Sequence, residues 1–271
     1  MTRIAVLGGG RIGEALIAGL LESGRAVKDL VAAESVAERA DELADRFGIR
    51  VTTVADAAEG ADLIVVAVKP ADVDAVLAEL ATVELESAHD QMLVSLVAGV
   101  PLSRFETKLP AGFPVVRAMP NTPMLVGEGM SAIAPGRFAK APHVDMVRET
   151  LGAVGKVAVV SEAQMDAVTA VSGSGPAYFF LMVESMVDAA VALGLPRVTA
   201  TELVVQTMIG SAAMLERSGE TATDLRAAVT SPSGTTAAAV RELERAGIRS
   251  AFYEALFAAR ERSSQQGSAT D

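Results

Sequence analysis

The sequence contains no cysteine and only two histidines, His89 and His143, among its 271 residues. The absence of cysteine excludes disulfides, thiolate metal sites and cysteine nucleophiles. Both histidines stand among turn-forming residues, so we expect each to lie in a surface loop. A Ser-His-Asp triad, a histidine general acid and a histidine metal cluster are therefore not expected, and we expect no bound metal.

Positive charge is also scarce, because 23 lysines and arginines stand against 34 acidic residues and give a formal net charge of −11. This balance argues against binding to nucleic acid or to an anionic membrane surface. Hydrophobic residues make up 51% of the chain, which excludes general disorder and allows a sizeable core. The N-terminus runs directly into a strand pattern without a basic leader segment, so we expect a cytoplasmic protein.

A glycine-rich motif follows the first predicted strand. Residues 3–7 run into Gly8-Gly9-Gly10-Arg11-Ile12-Gly13, after which a helix is predicted. In this pattern Gly8 makes the tight turn, Gly10 lets a pyrophosphate approach the backbone, and Gly13 lets the helix pack on the strand. A motif of this kind between a strand and a helix predicts a dinucleotide site. The alternative is a glycine-rich turn that binds nothing.

Glu34 and Ser35 follow the second predicted strand, residues 30–33, at about the spacing at which an acidic residue binds the ribose 2′-hydroxyl. A carboxylate at this position repels a 2′-phosphate, which favours NADH. Arg11 and Arg39 are close enough in sequence to offset that repulsion, so the choice between NADH and NADPH stays open. The alternative is that Glu34 is a solvated residue at the strand end.

Further candidates stand where other predicted strands end. Lys69 and Pro70 follow an apolar run, at the edge where open α/β sheets bind ligands; a surface lysine before a helix-starting proline is the alternative. Asn121 follows the sixth strand and could bind a carboxamide or shape its own turn. The predicted cofactor-binding residues are Gly8, Gly10, Arg11, Ile12, Gly13, Glu34, Ser35, Ala67, Val68, Lys69, Pro70, Val97, Ala98 and Asn121.

Strand and helix patterns alternate through the first 161 residues and then stop. This order predicts an α/β fold, in which residues 1–161 form a Rossmann-type, doubly wound, mainly parallel sheet. An all-α C-terminal domain is predicted to follow in residues 162–271. We expect the polar residues 263–271 to form a disordered tail.

The helical half contains a long apolar helix, predicted for residues 177–193. It follows an interruption of helical structure that is predicted at Ser172-Gly173-Ser174-Gly175-Pro176. Glu184 and Asp188 stand within it and argue against a transmembrane span, since each costs about 2.5–3.5 kcal/mol at a bilayer centre. We therefore expect this helix to be buried, with another subunit as the candidate partner.

A loop rich in hydroxyl side chains, Thr230-Ser231-Pro232-Ser233-Gly234-Thr235-Thr236, lies between two predicted helices. Pro232 and Gly234 interrupt regular structure, so the loop leads into a helix N-terminus. Unpaired N–H groups and the positive end of the helix dipole then form a small anion site. The alternative is an ordinary helix start capped by serine or threonine.

Five motifs, in order along almost the whole chain, make the sequence resemble the pyrroline-5-carboxylate reductase family. They are Gly8-Gly9-Gly10-Arg11-Ile12-Gly13, Ala67-Val68-Lys69-Pro70, Ala118-Met119-Pro120-Asn121-Thr122, Ser172-Gly173-Ser174-Gly175-Pro176-Ala177-Tyr178 and Val229-Thr230-Ser231-Pro232-Ser233-Gly234-Thr235-Thr236. The last two motifs are specific, whereas many dehydrogenases share the first. One departure is Ser233, where the family's loop usually has the first of two glycines, because a positive φ is uncommon for serine.

The resemblance implies an oxidoreductase that reduces the C=N bond of L-Δ1-pyrroline-5-carboxylate to L-proline with hydride from NADPH or NADH, the last step of proline biosynthesis. The resemblance implies that Ser231, Gly234, Thr235 and Thr236 bind the substrate carboxylate. It also implies that Thr236 is the catalytic residue, which hydrogen-bonds the ring nitrogen. It also implies a homodimer formed through the C-terminal helices, and larger assemblies that are rings of such dimers.

Two other functions compete with this hypothesis. A different NAD(P)-dependent reductase of a small acid generally needs a catalytic lysine or histidine in the helical domain, and residues 162–271 contain neither. A protein that senses dinucleotides without turnover is the second alternative, and the intact Ser/Thr loop argues against it.

Overall fold

The structure is a computed structural model that describes residues 2–85 and 91–268, so the prediction for His89 lies outside the described residues. The strands are β1 Ile4–Leu7, β2 Leu30–Ala33, β3 Arg50–Thr52, β4 Leu63–Val66, β5 Met92–Ser95, β6 Val115–Met119, β7 Gly129–Pro135 and β8 Gly155–Val159. They form one sheet in the order β3-β2-β1-β4-β5-β6-β7-β8. Neighbouring strands run parallel except β6 and β7, which are antiparallel.

Helices alternate with the first strands and then follow one another without strands. They are α1 Arg11–Glu22, α2 Ala37–Phe47, α3 Val54–Ala58, α4 Val73–Leu80, α5 Leu102–Glu106, α6 Ala141–Gly152, α7 Met165–Val168, α8 Gly175–Ala192, α9 Arg197–Arg217, α10 Ala222–Ala228, α11 Thr235–Arg245 and α12 Ile248–Ser268. The predicted α/β fold with a mainly parallel sheet and a helical C-terminal region is therefore confirmed.

The first strand shows why helices must cover both faces of the sheet. Its four side chains are 0% exposed and alternate between two hydrophobic clusters. Ala5 and Leu7 pack in the cluster that α3, α4 and α5 complete, whereas Ile4 and Val6 pack in the one that α1 and α6 complete. Full burial of such a side chain contributes about 1.5–3 kcal/mol. The turn after Leu7 therefore starts from a firmly held strand.

The register of the central strands brings three chain segments to one edge. Leu7 pairs with Ala33 on one side and with Val66 on the other, and all three residues end their strands. The residues that follow them therefore emerge side by side at the carboxyl edge. The strand order reverses between β1 and β4, and ligands of open α/β sheets bind at such a point.

The chain forms two compact units. The first runs through Ser174 and includes the segment that begins at Ala259, and the second is Gly175–Ala258. The predicted boundary after residue 161, where the sequence pattern changes, falls inside the first unit. The predicted interruption of helical structure at residues 172–176 is wrong, because a π-helical turn, Thr169–Gly173, continues almost directly into α8.

In the second unit, α8 and α9 pack together through a small cluster that includes Val187, Ala200 and Val204. Most of their large apolar side chains nevertheless remain exposed in the single chain. These are Phe179, Phe180, Leu181, Met182, Met186, Val198, Leu203, Ile209, Met214 and Leu215. The stretch Glu162–Ala192 and α9 are long and apolar enough to cross a membrane, by length and composition alone. The expected burial of α8 is thus not achieved within one chain.

His143 requires a further correction to the sequence analysis. It is 4% exposed, not in a surface loop, and it is the third residue of α6. Its Nδ1 accepts a hydrogen bond of 3.0 Å from the backbone N–H of Lys140. The imidazole thus satisfies a donor at the helix start, which is a reason for burial that turn-forming neighbours do not reveal.

A further correction concerns the C-terminus, where α12 continues to Ser268, so residues 263–268 do not form a disordered tail; the prediction for residues 269–271 lies outside the described residues. Ser263 is 4% exposed, and its hydroxyl donates a 2.8 Å hydrogen bond to the carboxylate of Asp166. The partner lies 97 residues away in sequence. A contact of that range fixes a polar segment that composition alone predicts to be disordered.

Candidate cofactor and substrate sites

The glycine-rich turn after β1 needs glycine for two physical reasons. Gly8 has φ of +106°, a conformation that other residues rarely adopt, and its N–H donates to the Ala33 carbonyl at 2.8 Å. A Cβ at this position would also lie 2.7 Å from the Ala67 carbonyl oxygen. The backbone of this turn thus packs closely between the ends of β2 and β4.

Gly10 and Gly13 differ in what surrounds them. A Cβ on Gly13 would overlap the Gly8 carbonyl oxygen, so this glycine lets α1 pack against the turn. A Cβ on Gly10 would meet nothing within 4 Å. Gly10 precedes α1 and makes no side-chain cap for it, so the first N–H groups of the helix receive no hydrogen bond from the N-cap side chain. This arrangement suits an approaching pyrophosphate.

The middle glycine is a tightly packed position that sequence reasoning missed. A Cβ on Gly9 would overlap Cδ1 of Leu43 in α2 and would lie 3.0 Å from Oε2 of Glu34. The dinucleotide pattern leaves this position free, so the only signal in the sequence is the run of three glycines. A side chain at this position would therefore displace the side chain of Leu43 or Glu34.

The carboxylate of Glu34 is fixed by backbone donors. Its Oε2 accepts from the Gly9 N–H at 2.8 Å, and its Oε1 accepts from the Val36 N–H at 2.9 Å. Burial acts to raise the pKa of this carboxyl, but the hydrogen bonds from Val36, Gly9 and Ser35 outweigh it, so the pKa lies below its ordinary value. Glu34 therefore carries its negative charge beside the glycine turn at neutral pH.

The two arginines near this carboxylate are placed differently. Arg11 begins α1 and its side chain is exposed. Arg39, in the first turn of α2, donates through Nε to the Gly9 carbonyl at 2.9 Å. Its two terminal nitrogens form ion pairs with Glu14 and Glu42. The backbone of Gly9 is thus held from both sides, by Glu34 at its N–H and by Arg39 at its carbonyl.

A cleft of about 780 Å³ opens at the carboxyl edge of the sheet, a size typical of small-molecule sites. Half of the predicted cofactor residues line it: Gly8, Gly10, Glu34, Ser35, Ala67, Val68 and Lys69. Among the described residues, the other predicted ones do not line this cleft: Arg11, Ile12, Gly13, Pro70, Val97, Ala98 and Asn121. Lys69 is exposed and precedes a short 3₁₀ turn that Pro70 begins.

Sequence reasoning missed part of this lining. Thr52 and Thr53, at the end of β3, lie in the cleft wall beside Glu34 and Ser35. Their position follows from the sheet order, because β3 pairs with β2 and its carboxyl end reaches the same edge. A hydroxyl pair after the third strand was the available signal.

Asn121 has a different environment from the two that its sequence position suggested. Its Nδ2 donates to the Ser172 carbonyl at 3.0 Å, and its Oδ1 accepts from the Met130 N–H at 2.8 Å. The side chain therefore connects the start of β7 to the π-helical turn. Val97 is 2% exposed within the core, and Ala98 is exposed in the turn that follows.

The hydroxyl-rich loop in the second unit forms a hydrogen-bonded turn before α11. The N–H of Gly234 donates to the Ser231 carbonyl at 3.0 Å, with Pro232 second and Ser233 third in the turn. Ser233 has φ of 61°, and it alone among the described non-glycine residues has positive φ. A proline followed by a positive φ is typical of a type II turn, whose third residue is usually glycine.

This turn leaves the N-terminus of α11 open. Gly234 is the N-cap residue and provides no side-chain hydrogen bond to the helix. The backbone N–H groups of Thr235 and Thr236 lie in the first turn, where a helix has no carbonyl to pair them. Ser231 and Thr235 are exposed and Thr236 is partly buried, so hydroxyl donors surround these N–H groups. The arrangement can bind one small anion such as a carboxylate.

Replacing Ser233 with glycine is expected to stabilise the protein by about 1 kcal/mol, because glycine adopts positive φ without steric cost. This corresponds to a rise of roughly 2–4 °C in the Tm. Thermal unfolding at fixed protein concentration measures it. Ser231→Gly is the matched control, since Ser231 has no positive φ and should lose stability instead. A Tm for Ser233→Gly equal to or below that of the wild type would contradict the strain argument.

Comparison with known families identifies two matches along the chain. Residues 162–266 match the family described as pyrroline-5-carboxylate reductase dimerisation. Residues 3–99 match the family described as NADP oxidoreductase, coenzyme F420-dependent. The first match covers the hydroxyl-rich loop, and the second covers the glycine turn and Glu34.

Relatives and solved structures match the chain over 98% of its length. A pyrroline-5-carboxylate reductase of Mycobacterium tuberculosis is 55% identical over 98% of this chain and 97% of that protein. The structure of a pyrroline-5-carboxylate reductase from Coxiella burnetii has a TM-score of 0.92 at 33% identity and covers 98% of each chain. A Plasmodium falciparum pyrroline carboxylate reductase, solved with NADP bound, has a TM-score of 0.86 at 28% identity, again over 98% of each chain.

Proposed function

The chain belongs to the pyrroline-5-carboxylate reductase family, and from this membership we infer how its own residues serve the reaction. It is an NAD(P)H-dependent oxidoreductase of proline biosynthesis that reduces the C=N bond of L-Δ1-pyrroline-5-carboxylate to L-proline. The observation that carries this conclusion is 55% identity over 98% of the chain. A different small-acid reductase and a non-catalytic sensor are set aside, because the identity extends through both the nucleotide and the helical parts.

The residues at the carboxyl edge of the sheet fit a dinucleotide. The open space over Gly10 and the free N–H groups at the start of α1 suit its pyrophosphate. Glu34 lines the cleft and suits the hydroxyls of the adenosine ribose. The bound cofactor supplies the hydride, and the protein orients it. Lys69, Pro70, Val97, Ala98 and Asn121 remain further cofactor-binding candidates.

NADH is proposed as the preferred cofactor. The ionised carboxylate of Glu34 repels a 2′-phosphate, and Arg39 is already held by Glu14, Glu42 and the Gly9 carbonyl. The Plasmodium falciparum relative was solved with NADP, so the preference is expected as a ratio and not as exclusion of NADPH. The charge around the ribose position is what supports it.

We expect the purified enzyme to oxidise both cofactors only when pyrroline-5-carboxylate is present, with a higher kcat/KM for NADH. The loss of absorbance of the reduced nicotinamide measures both rates. An equal or higher kcat/KM with NADPH would contradict the NADH preference alone. No substrate-dependent oxidation with either cofactor, from folded and assembled protein, would contradict the reductase itself.

The substrate carboxylate is proposed to bind at the N-terminus of α11. Ser231, Gly234, Thr235 and Thr236 surround unpaired N–H groups there, and this suits an anion without a lysine or arginine. The substrate can bring its own proton on the ring nitrogen as an iminium, so no strong acid side chain is required. Positioning of the two reactants can then supply roughly 7–11 kcal/mol of the barrier.

Thr236→Val is expected to lower kcat/KM by about tenfold, the scale of one hydrogen bond lost in a confined site. The variant keeps the side-chain volume and removes the hydroxyl proposed to hydrogen-bond the ring nitrogen. Steady-state kinetics with saturating NADH measures the effect. Thr236→Ser retains a hydroxyl and should recover most of the activity. An unchanged kcat/KM in Thr236→Val would remove Thr236 from this role.

The protein oligomerises through its C-terminal region, as the match of residues 162–266 to the dimerisation family indicates. A homodimer through the exposed apolar faces of α8 and α9 is proposed, because a second copy would remove those side chains from water. Rings of such dimers and a cytoplasmic location are proposed as well. Light scattering of the purified protein distinguishes a dimer from a larger ring.

A further inference from the structure

Arg39, like Arg11, has a sequence position that could serve a 2′-phosphate, and each of its three side-chain nitrogens has a partner elsewhere. Nε donates to the Gly9 carbonyl at 2.9 Å, and Nη1 pairs with Glu42 at 2.7 Å. Nη2 pairs with the carboxylate of Glu14. Three of its five N–H donors are thus used, and these bonds hold the guanidinium against Gly9, Glu42 and Glu14.

Glu14 is the less exposed of the two acidic partners of Arg39, so its ion pair is the stronger of the two. Its side chain is 18% exposed, against 57% for Glu42, and exposed ion pairs are weakened by water and salt. Glu14 also pairs with Arg46, so its second oxygen is occupied on the same side. The carboxylate therefore sits between two arginines of α2 while it stands in the first turn of α1.

Arg39 contributes to a hollow other than the nucleotide cleft. Arg39 lines a separate hollow of about 470 Å³ with Glu14, Glu42, Leu43, Asp45 and Arg46. Its neighbours Ser35, Val36 and Ala40 line the cleft, whereas Arg39 does not, as far as the described residues define that lining. The glycine turn lies between the two, because Arg39 bonds the carbonyl of Gly9 and Glu34 bonds its N–H.

We propose that Glu14 is a positioning residue that sets the cofactor choice by holding Arg39 outside the nucleotide cleft. Glu34 repels a 2′-phosphate, and Glu14 withholds the cation that could accept one. The ligand class that this pair selects against is a 2′-phosphorylated adenosine. The proposal rests on the NADH preference inferred above, and it names the residue through which that preference can be reversed.

The test uses the complete enzyme and two probes, adenosine 2′,5′-bisphosphate and AMP, with calorimetric Kd values for each. Glu14→Gln is expected to bind the bisphosphate about tenfold more tightly, the scale of one hydrogen bond between charged groups, with AMP unchanged. The KM for NADPH should fall while kcat stays constant.

Three further variants serve as controls. Glu14→Asp should behave as the wild type, and Arg39→Met in the Glu14→Gln background should cancel the gain in bisphosphate affinity. Glu42→Gln, which removes the exposed partner, is the matched control and should change little.

Arg39→Met in the otherwise unchanged enzyme gives a second test that does not depend on how Glu14→Gln folds. It should leave the ratio of the two Kd values unchanged, because the cation is not in use. A selective loss of bisphosphate binding would show that Arg39 already reaches the 2′-phosphate, and this would overturn the proposal. An unaltered ratio in a folded Glu14→Gln would also overturn it. Failure of the NADH preference is recognised separately, in the kcat/KM ratio of the wild-type enzyme.

Discussion

Gly10→Ala is expected to fold like the wild-type enzyme and to bind NADH about a hundredfold more weakly, the scale of two charge-assisted hydrogen bonds lost. A methyl group at this position meets nothing within 4 Å, so the protein itself accommodates it. The methyl would occupy the space in front of the first N–H groups of α1, which we assign to the pyrophosphate. Calorimetric titration with NADH measures the loss, and thermal unfolding checks the fold.

Gly13→Ala provides the contrast that makes this result interpretable. Its Cβ would overlap the backbone carbonyl oxygen of Gly8, which cannot move aside as a flexible side chain can. We expect a loss of about 1–3 kcal/mol in the free energy of unfolding. If Gly10→Ala instead lost stability and Gly13→Ala did not, the assignment of one glycine to ligand approach and the other to packing would be reversed. Normal NADH affinity in Gly10→Ala would place the pyrophosphate elsewhere.

The nucleotide part of the site could be predicted because its signals are local in sequence. Gly8, Gly10 and Gly13 stand at fixed spacings between a strand and a helix, and Glu34 stands directly after the next strand. The register of parallel strands then brings these segments together without further information. Gly9 escaped prediction because its constraint comes from Leu43, a residue of another helix.

Residues whose role depends on a distant partner could not be predicted. The two hydrogen bonds of Asn121, to Met130 and Ser172, involve elements that no pattern in the sequence connects. The glycine- and proline-rich stretch after Val171 illustrates the opposite error. A Cβ on Gly173 would lie 2.6 Å from Cε of Met119, whose side chain packs against this glycine, and Pro176 is tolerated in the first turn of α8. Composition alone favoured an interruption of helical structure there.

Arg117→Met is expected to lower the free energy of unfolding by about 3 kcal/mol, because it leaves a partly buried carboxylate without its counter-charge. Arg117 lies in β6 and is 6% exposed, and its Nη1 pairs with Oε1 of Glu162 at 2.9 Å. The same oxygen accepts from the Leu102 N–H at 3.1 Å. Oε2 of Glu162 is buried and has no hydrogen-bond partner within residues 2–85 and 91–268. Without Arg117, the Leu102 N–H is the remaining donor to this carboxylate among the described residues.

A double-mutant cycle separates the pair from its surroundings. Glu162→Leu combined with Arg117→Met should lose less than the sum of the single changes, because replacing both charges by apolar groups removes the unpaired ion. Arg148→Met, which breaks the exposed pair with Asp145, is the control and should cost less than about 1 kcal/mol. Denaturant unfolding at one fixed protein concentration is required, since assembly adds to the stability of an oligomer. Additive losses in the cycle would mean that the Arg117–Glu162 contact does not hold residue 162, where the dimerisation match begins, to the sheet.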